Sequence, residues 1–540
     1  MDVGTLVTRA AARWPDRIAV EGPDSSGTEQ QLTFSALGER VVRLANGLRH
    51  GLGLQPGDRV LDLQTNTTTY LETDLAIRAA RLVRVALNYR LHPSDWQRIA
   101  TDCGAAALVH HVRFSDDVAP LVDQVGAHRV VVTGASSGTP RSYEDLLARG
   151  STATLPAPSP DAFCGLHYSS GTTGHPKGAQ RTHRNWFASV VNMTHDVLGG
   201  PPAGDSAYCH AGPITHTSGL FVLPFLVAGA RQLILPGWDP DVFADAVVHR
   251  GVTHTAMVPT MVSRLAALAT DPVGEATLAQ VRERLRMLGY AGAPMPAEQI
   301  RQAHALLTPN LVQYYGLVEA IPPVTVLDAA DHAAGLGVDG EARPDLLTSA
   351  GRPALGVELR VVQPDDPELR PLAPGEVGEV CTRGDHVMAG YWNAGHREDL
   401  GKAVVDGWLR TGDLGRLDDA GRLWLVDRKG DMIITGGYNV YPREVEEVVA
   451  EVPGVGEVAV LGVADPDWGQ QVVAVYTVRD GRDVSPDAVI EHCRSRMASY
   501  KKPKVAHRVD AFPLNSTGKI AKRVLRDRLE AGLAPDEERV

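Results

Sequence analysis

Between Tyr168 and Gly178 the chain reads Tyr-Ser-Ser-Gly-Thr-Thr-Gly-His-Pro-Lys-Gly. The hydroxyls of Ser169, Ser170, Thr172 and Thr173 are interleaved with Gly171 and Gly174, and Lys177 closes the run. Glycine lets the backbone approach a ligand closely, successive amide hydrogens form a concave anion site, and hydroxyls add donors. Lys177 brings a compact positive charge suited to phosphate. The chemistry these types can do together is polyphosphate binding. A Walker A loop is excluded, because there Gly-Lys-Ser/Thr opens a helix, whereas Pro176 precedes Lys177 here and Gly178 follows it. A Gly/Ser/Thr-rich stretch alone is an ordinary surface turn, so other segments must decide.

That run closely resembles the phosphate loop of the acyl-adenylate-forming (ANL) superfamily of acyl-CoA synthetases, amino-acid adenylation domains and firefly luciferase. Other phrases resemble the same family in the same order. Ala211-Gly-Pro-Ile-Thr-His-Thr-Ser-Gly resembles the phrase that lines the acyl pocket. It puts His216 on the histidine position, with Thr215 in place of an aromatic residue. Gly289-Tyr-Ala-Gly-Ala-Pro has the small residues a flat ring can lie against, and the resemblance makes Gly292, Ala293 and Pro294 one side of the adenine site. Gln313-Tyr-Tyr-Gly-Leu-Val-Glu resembles Tyr-Gly-x-Thr-Glu. It implies that Tyr315 stacks on adenine, with Gln313, Tyr314 and Gly316 alongside. Glu319 is then the carboxylate for a magnesium ion bridging the phosphates, with Thr172 as a second candidate ligand. Val318 stands where the family has a threonine touching the α-phosphate. Valine keeps the shape but cannot donate a hydrogen bond, and such a loss costs about 1.5–3 kcal/mol, roughly ten- to a hundredfold.

Farther along, Asp413 in Thr-Gly-Asp takes the family position that accepts the ribose hydroxyls, and Arg428 in Val-Asp-Arg-Lys-Gly the one that contacts ribose or phosphate. Gly430 occupies the hinge position, usually aspartate or lysine; glycine there suits a swivel and equally an ordinary turn. Gly436, Gly437 and Tyr438 would line the tunnel through which a pantetheine thiol reaches the adenylate. Pro513-Leu-Asn-Ser-Thr-Gly-Lys-Ile resembles the terminal motif, making Lys519 the lysine that reaches the α-phosphate and carboxylate oxygens. The basic cluster Tyr500-Lys-Lys-Pro-Lys is either a solvated face or a partner for CoA phosphates.

These residues need elements to place them. Apolar spacing predicts a helix from Val3, a strand at Ile18-Ala-Val, a helix capped by Ser35, a strand after Gly57, a helix from Tyr70 to Ala80 and a strand from Val83 to Leu87. Arg181 to Val197 is expected to be helical. Buried strands are expected at 253–259 and 287–294, and a strand-rich segment around 375–415. A small α+β domain follows from Asp431, with paired strands at 456–463 and 471–478 and a helix at 485–497. Alternating strands and helices imply a layered α/β domain. With 540 residues there is room for several cores. A balance of 53 Lys+Arg against 65 Asp+Glu argues against nucleic acid as a partner. Five cysteines without metal or disulfide spacing fit a reducing cytoplasm. No signal peptide is visible, and the apolar stretch 219–230 is too short to span a bilayer and is broken by Pro224.

The resemblance covers nearly the whole chain. It implies an α/β multi-subdomain large N-terminal domain, residues 1–429, and a small mobile α+β C-terminal lid, 430–540. It implies an ATP-, magnesium- and CoA-using acid–CoA ligase of fatty acid metabolism, acting on a fatty or aryl acid, with a homodimer as a compatible assembly. A ligase loading a carrier protein, a luciferase-like oxygenase and a non-catalytic adenylate-binding relative carrying Val318 are the alternatives.

Overall fold

The structure is a computed structural model that describes residues 2–135, 142–169, 177–338, 340–393, 403–435, 438–466, 468–479, 482–514 and 519–536. The chain forms two compact units. The first is Met1–Leu359 with Thr382–Leu409 and Gly421–Leu423; the second is Arg360–Cys381, Arg410–Ala420 and Trp424–Val540. A single cut at residue 430 was expected, but residues 360–381 and 410–420 pack with the later chain. Ion pairs Arg410–Glu379 at 2.8 Å and Lys429–Asp365 at 2.6 Å lie inside that unit.

The strands of the first unit, in chain order, are β1 (Ile18–Pro23), β2 (Glu29–Thr33), β3 (Arg59–Leu63), β4 (Val83–Ala86), β5 (Ala107–His111), β6 (Val130–Thr133), β7 (Phe163–Ser169) and β8 (Lys177–Thr182). They continue with β9 (Ala207–His210), β10 (Arg231–Ile234), β11 (His254–Met257), β12 (Met287–Tyr290), β13 (Leu311–Leu317), β14 (Ala320–Leu327) and β15 (Arg352–Pro353). One sheet has the order β15-β14-β13-β12-β11-β9-β10-β1-β2. Its strands β1, β10, β9, β11, β12 and β13 are mutually parallel, and the hairpin β13–β14 closes one side. A second sheet has the order Gly390–Tyr391, β8, β7, β4, β3, β5, β6. Its strands β7, β4, β3, β5 and β6 are parallel. Parallel strands are covered on both faces, which is why β9, β11 and β12 read as short, wholly buried runs.

Two sequence expectations change. The second helix is Phe34–Asn46, and its cap is Thr33, whose hydroxyl accepts from Ala36 N, rather than Ser35. Arg181 and Thr182 are strand: β8 returns antiparallel to β7 before a helix begins at His183. A capping box between Thr182 and Asn185 fixes that start, so the helix signal begins two residues later than apolar spacing suggests.

In the second unit, strands Val455–Asp465 and Gly469–Val478 form a long antiparallel pair, as expected, and Val505–Arg508 joins the latter in parallel. A helix Pro442–Ala450 precedes them, and the helix Pro486–Arg496 appears where expected, capped by Ser485. No helix among the described residues is long and apolar enough to cross a membrane.

Candidate active site

In an open parallel sheet, ligands sit beyond the carboxyl ends of the strands. Because β9, β12 and β13 are parallel in one sheet, the segments after them (211–216, 291–294 and 318–319) leave on the same edge. These are three of the segments singled out by chemistry. The phosphate loop follows the carboxyl end of β7 in the second sheet.

The segment after β9 is held from behind. Asn66 accepts from Ile214 N at 3.0 Å and donates to the Gly212 carbonyl at 2.8 Å. Ser218 meets His210 Nδ1 at 2.8 Å, and His210 Nε2 meets Gln232 at 3.0 Å. These bonds leave His216 half-buried, its Nε2 3.3 Å from Asn88 Nδ2. The Asn88 side chain is thus within reach of the candidate pocket histidine.

The β13–β14 hairpin turns through Val318 and Glu319, between the partners Leu317 and Ala320. A Cβ on Gly316 would come within 2.7 Å of Pro322, so the close pairing needs glycine there. Three neighbours hold the turn. Arg181 Nη2 donates to the Val318 carbonyl at 2.9 Å, Met388 N donates to the Glu319 carbonyl at 2.8 Å, and the Tyr391 hydroxyl donates to Glu319 Oε1 at 3.0 Å. Val318 itself packs among apolar neighbours that include Ala179, Ala320 and Val324.

Alternation along β13 separates its two tyrosines. Tyr315 is half-buried on the same side as Gln313, whose Oε1 has no hydrogen-bond partner among the described residues. Tyr314 faces the core, edge-on to Phe221 with ring centroids 6.1 Å apart, and burial pushes its hydroxyl pKa well up. The expectation that Tyr314 contacts ATP therefore does not extend to its side chain. Gly292, Ala293 and Pro294 are exposed. Lys177 lies at the start of β8 with its Nζ 5.6 Å from the centre of the Tyr391 ring. Ser170, Gly171, Thr172, Thr173 and Gly174 lie outside the described residues, as does the side chain of Ser169.

The second unit carries the other candidates. Asp413 is buried on the strand Trp408–Leu417; its amide donates to Thr411 Oγ1 at 3.1 Å, and that hydroxyl donates to the Val380 carbonyl at 2.8 Å. Arg428 Nε is 3.4 Å from Asp413 Oδ1. Lys519 is exposed by area, yet packing around its ammonium and the Arg428 guanidinium lower its pKa, against the raising pull of Asp413. The three expected side chains thus influence one another in this unit. Tyr438 is exposed and stacks on Tyr500, centroids 4.7 Å apart, while Lys504 lies 4.0 Å over the Trp468 ring. Gly436 and Gly437 lie outside the described residues.

No local motif marks Asn88, Arg181 or Tyr391 as part of the site. Tyr391 sits in Met388-Ala-Gly-Tyr-Trp-Asn, and only the pairing of Gly390–Tyr391 with β8 brings it near Glu319. Arg181 was placed on a helix.

The chain belongs to the AMP-binding enzyme family: the family matches residues 7–392, and the AMP-binding enzyme C-terminal domain matches 444–519. Its large α/β domain and small C-terminal domain are those of the adenylating enzymes. A feruloyl-CoA synthase from Amycolatopsis is 36% identical over 95% of this chain and 98% of its own length. An indoleacetate–CoA ligase from Aromatoleum aromaticum is 32% identical over 97% and 98%. The ATP-bound structure of MatB from Rhodopseudomonas palustris superposes with a TM-score of 0.84 at 29% identity, covering 98% of this chain and 99% of that one.

Proposed function

We propose that this chain is an ATP-dependent acid–CoA ligase. A fatty or aryl carboxylate attacks the α-phosphate of ATP and expels pyrophosphate, and the thiol of CoA then displaces AMP from the acyl-adenylate. The observation that supports it most is the Val318–Glu319 turn, with a phenol aligned on the carboxylate, on the strand edge that also bears His216 and the open segment 292–294.

In this reading Tyr315 stacks on adenine, with Gly292, Ala293 and Pro294 on the other side. The phosphate loop with Lys177 holds the phosphates, and Asp413 and Arg428 hold the ribose. Asn88 orients His216 beside the acid carboxylate. The donor set suits magnesium: Glu319 supplies a single oxygen ligand site, and among the described residues no group of three or more His, Cys, Asp or Glu side chains converges on a metal. Magnesium keeps waters and phosphate oxygens as its other ligands, and when bound it neutralises phosphate charge. Lys519 adds positive charge where negative charge develops on the α-phosphate.

The lid, residues 430–540, then turns about Gly430 and exchanges Lys519 for the tunnel formed by Gly436, Gly437 and Tyr438. Gly430 is exposed in a turn, and a Cβ there would meet nothing within 4 Å. This conformation does not itself demand glycine, which favours a second backbone state that does. The Tyr438–Tyr500 stack and Lys504 over Trp468 offer aromatic faces and cations, which suit the nucleotide end of CoA.

Pyrophosphate release is the test, measured with magnesium-ATP against fatty, aryl and amino acids, without acceptor, with CoA and with a phosphopantetheinyl carrier. Release with one acid class, accelerated by CoA, is expected. Acceleration by the carrier alone would replace CoA by a carrier, and no release with any acid would leave a nucleotide-binding protein.

A further inference from the structure

Arg181 is 5 % exposed, and its side chain makes one hydrogen bond within the described residues, from Nη2 to the Val318 carbonyl at 2.9 Å. Its Nε has no partner among the described residues, and no described carboxylate lies within ion-pairing distance. A second guanidinium stands beside it. The Arg78 guanidinium is 4.2 Å from the centre of the Trp186 ring and that of Arg181 5.6 Å from it, while Arg78 already uses Asp74, 2.8 Å away. Burial and Arg78 push the Arg181 pKa down to about 9, against Glu319, which raises it. His167, also against Trp186 at 5.9 Å between centroids, is held neutral by burial and by Arg181, with Arg84, Arg78 and His216 acting the same way. A buried guanidinium that no carboxylate pairs directly is costly unless a further anion answers it.

The residue whose carbonyl Arg181 holds is Val318, which has no hydroxyl to offer a phosphate. Each oddity accounts for the other. We propose that Arg181 is a positioning residue for adenylation: it fixes the Val318–Glu319 turn and puts behind it the positive charge that compensates the donor absent at Val318, so that the bound nucleotide phosphate is its counter-charge. This rests on the reading that the turn faces the α-phosphate. Arg181 acts through the turn and its field, since its Nη2 is taken by the Val318 carbonyl and its Nε is enclosed by protein. Reaching Val318 from β8 requires the strand that replaces the expected helix at this point, because Arg181 then lies on the same side as His167 of the paired β7.

The test is a mutational cycle on the full-length protein. Arg181→Gln keeps a donor for the Val318 carbonyl and removes the charge; Arg181→Met removes both; Val318→Thr supplies the hydroxyl. Arg181→Gln is expected to lower kcat/KM for ATP in pyrophosphate release about tenfold or more and to weaken ATP binding measured by calorimetry without acid. The improvement from Val318→Thr is expected to be at least several-fold larger in either Arg181 background than in the parent. Equal effects of Val318→Thr in all backgrounds, or an Arg181→Gln protein with parental kcat/KM and ATP affinity, would overturn the proposal. If Arg181→Met does not fold, the Gln pair completes the cycle alone. If no acid releases pyrophosphate, the ligase reading fails, and the calorimetric cycle still decides whether Arg181 and Val318 are coupled toward nucleotide.

Discussion

In the first unit the Val318–Glu319 turn is tied by Arg181, Met388 and Tyr391, and the His216 segment by Asn66; in the second, Lys519 is exposed and feels the charges of Arg428 and Asp413. The contrast extends inward. Behind the first site Arg84 pairs with Asp62 and Asp74, both at 2.8 Å and all buried, and Tyr70 and Gln64 bond into the same network. A preorganised donor set stabilises charge without rearranging, whereas a group that must arrive for one step and leave for the next has to avoid such anchoring. The difference between the units separates groups fixed by several direct hydrogen bonds from a lysine whose surroundings act on it through charge.

Removing the charge of Lys519 should have the largest consequence. Lys519→Ala is expected to lower acyl-adenylate formation about 10²–10³-fold, while thioester formation from a supplied acyl-adenylate largely survives; rapid-quench assays of each half reaction read this, and equal loss in both would erase the distinction. Asp62→Ala should instead destabilise the frame by about 1–3 kcal/mol by removing one of the two buried carboxylates that Arg84 pairs with, measured as a lower denaturant midpoint of the first unit. An unchanged midpoint would mean that the buried network does not make the site rigid. Tyr391→Phe should cost roughly tenfold in kcat/KM for magnesium-ATP and raise the magnesium concentration needed for half-maximal rate. Smallest is Val318→Thr, expected to raise adenylation by no more than about threefold. A large loss would mean that the valine belongs to a rebuilt contact.

How much of this was legible depended on whether the signal was local. Gly-rich turns and short motifs carry their chemistry in consecutive residues, so Glu319, Asp413 and Lys519 could be named from the chain alone. Strands of the second unit announce themselves by alternation, and Val455–Asp465 and Gly469–Val478 appear as expected. Contacts between distant segments were not legible. Tyr391 meets Glu319 only because residues 390–391 pair with β8, and Asn88 meets His216 from the end of a strand in a different sheet. Arg181 was misplaced for a local reason: the run from Arg181 to Val197 is continuous with a helix, and only the cap at Thr182 marks where it begins. The Tyr314–Tyr315 pair shows the remaining limit, since adjacent tyrosines look alike in sequence and strand alternation sends one to the core.

The most direct measurement is a single turnover of excess enzyme with its acid and α-labelled ATP in magnesium, quenched at intervals, with CoA added only after the first phase is complete. The account predicts a burst of labelled acyl-AMP with stoichiometric pyrophosphate, followed by conversion to thioester and free AMP when CoA arrives. Thioester formed only when all substrates are present together, with ADP and phosphate as products and no acyl-AMP at any time, would contradict it.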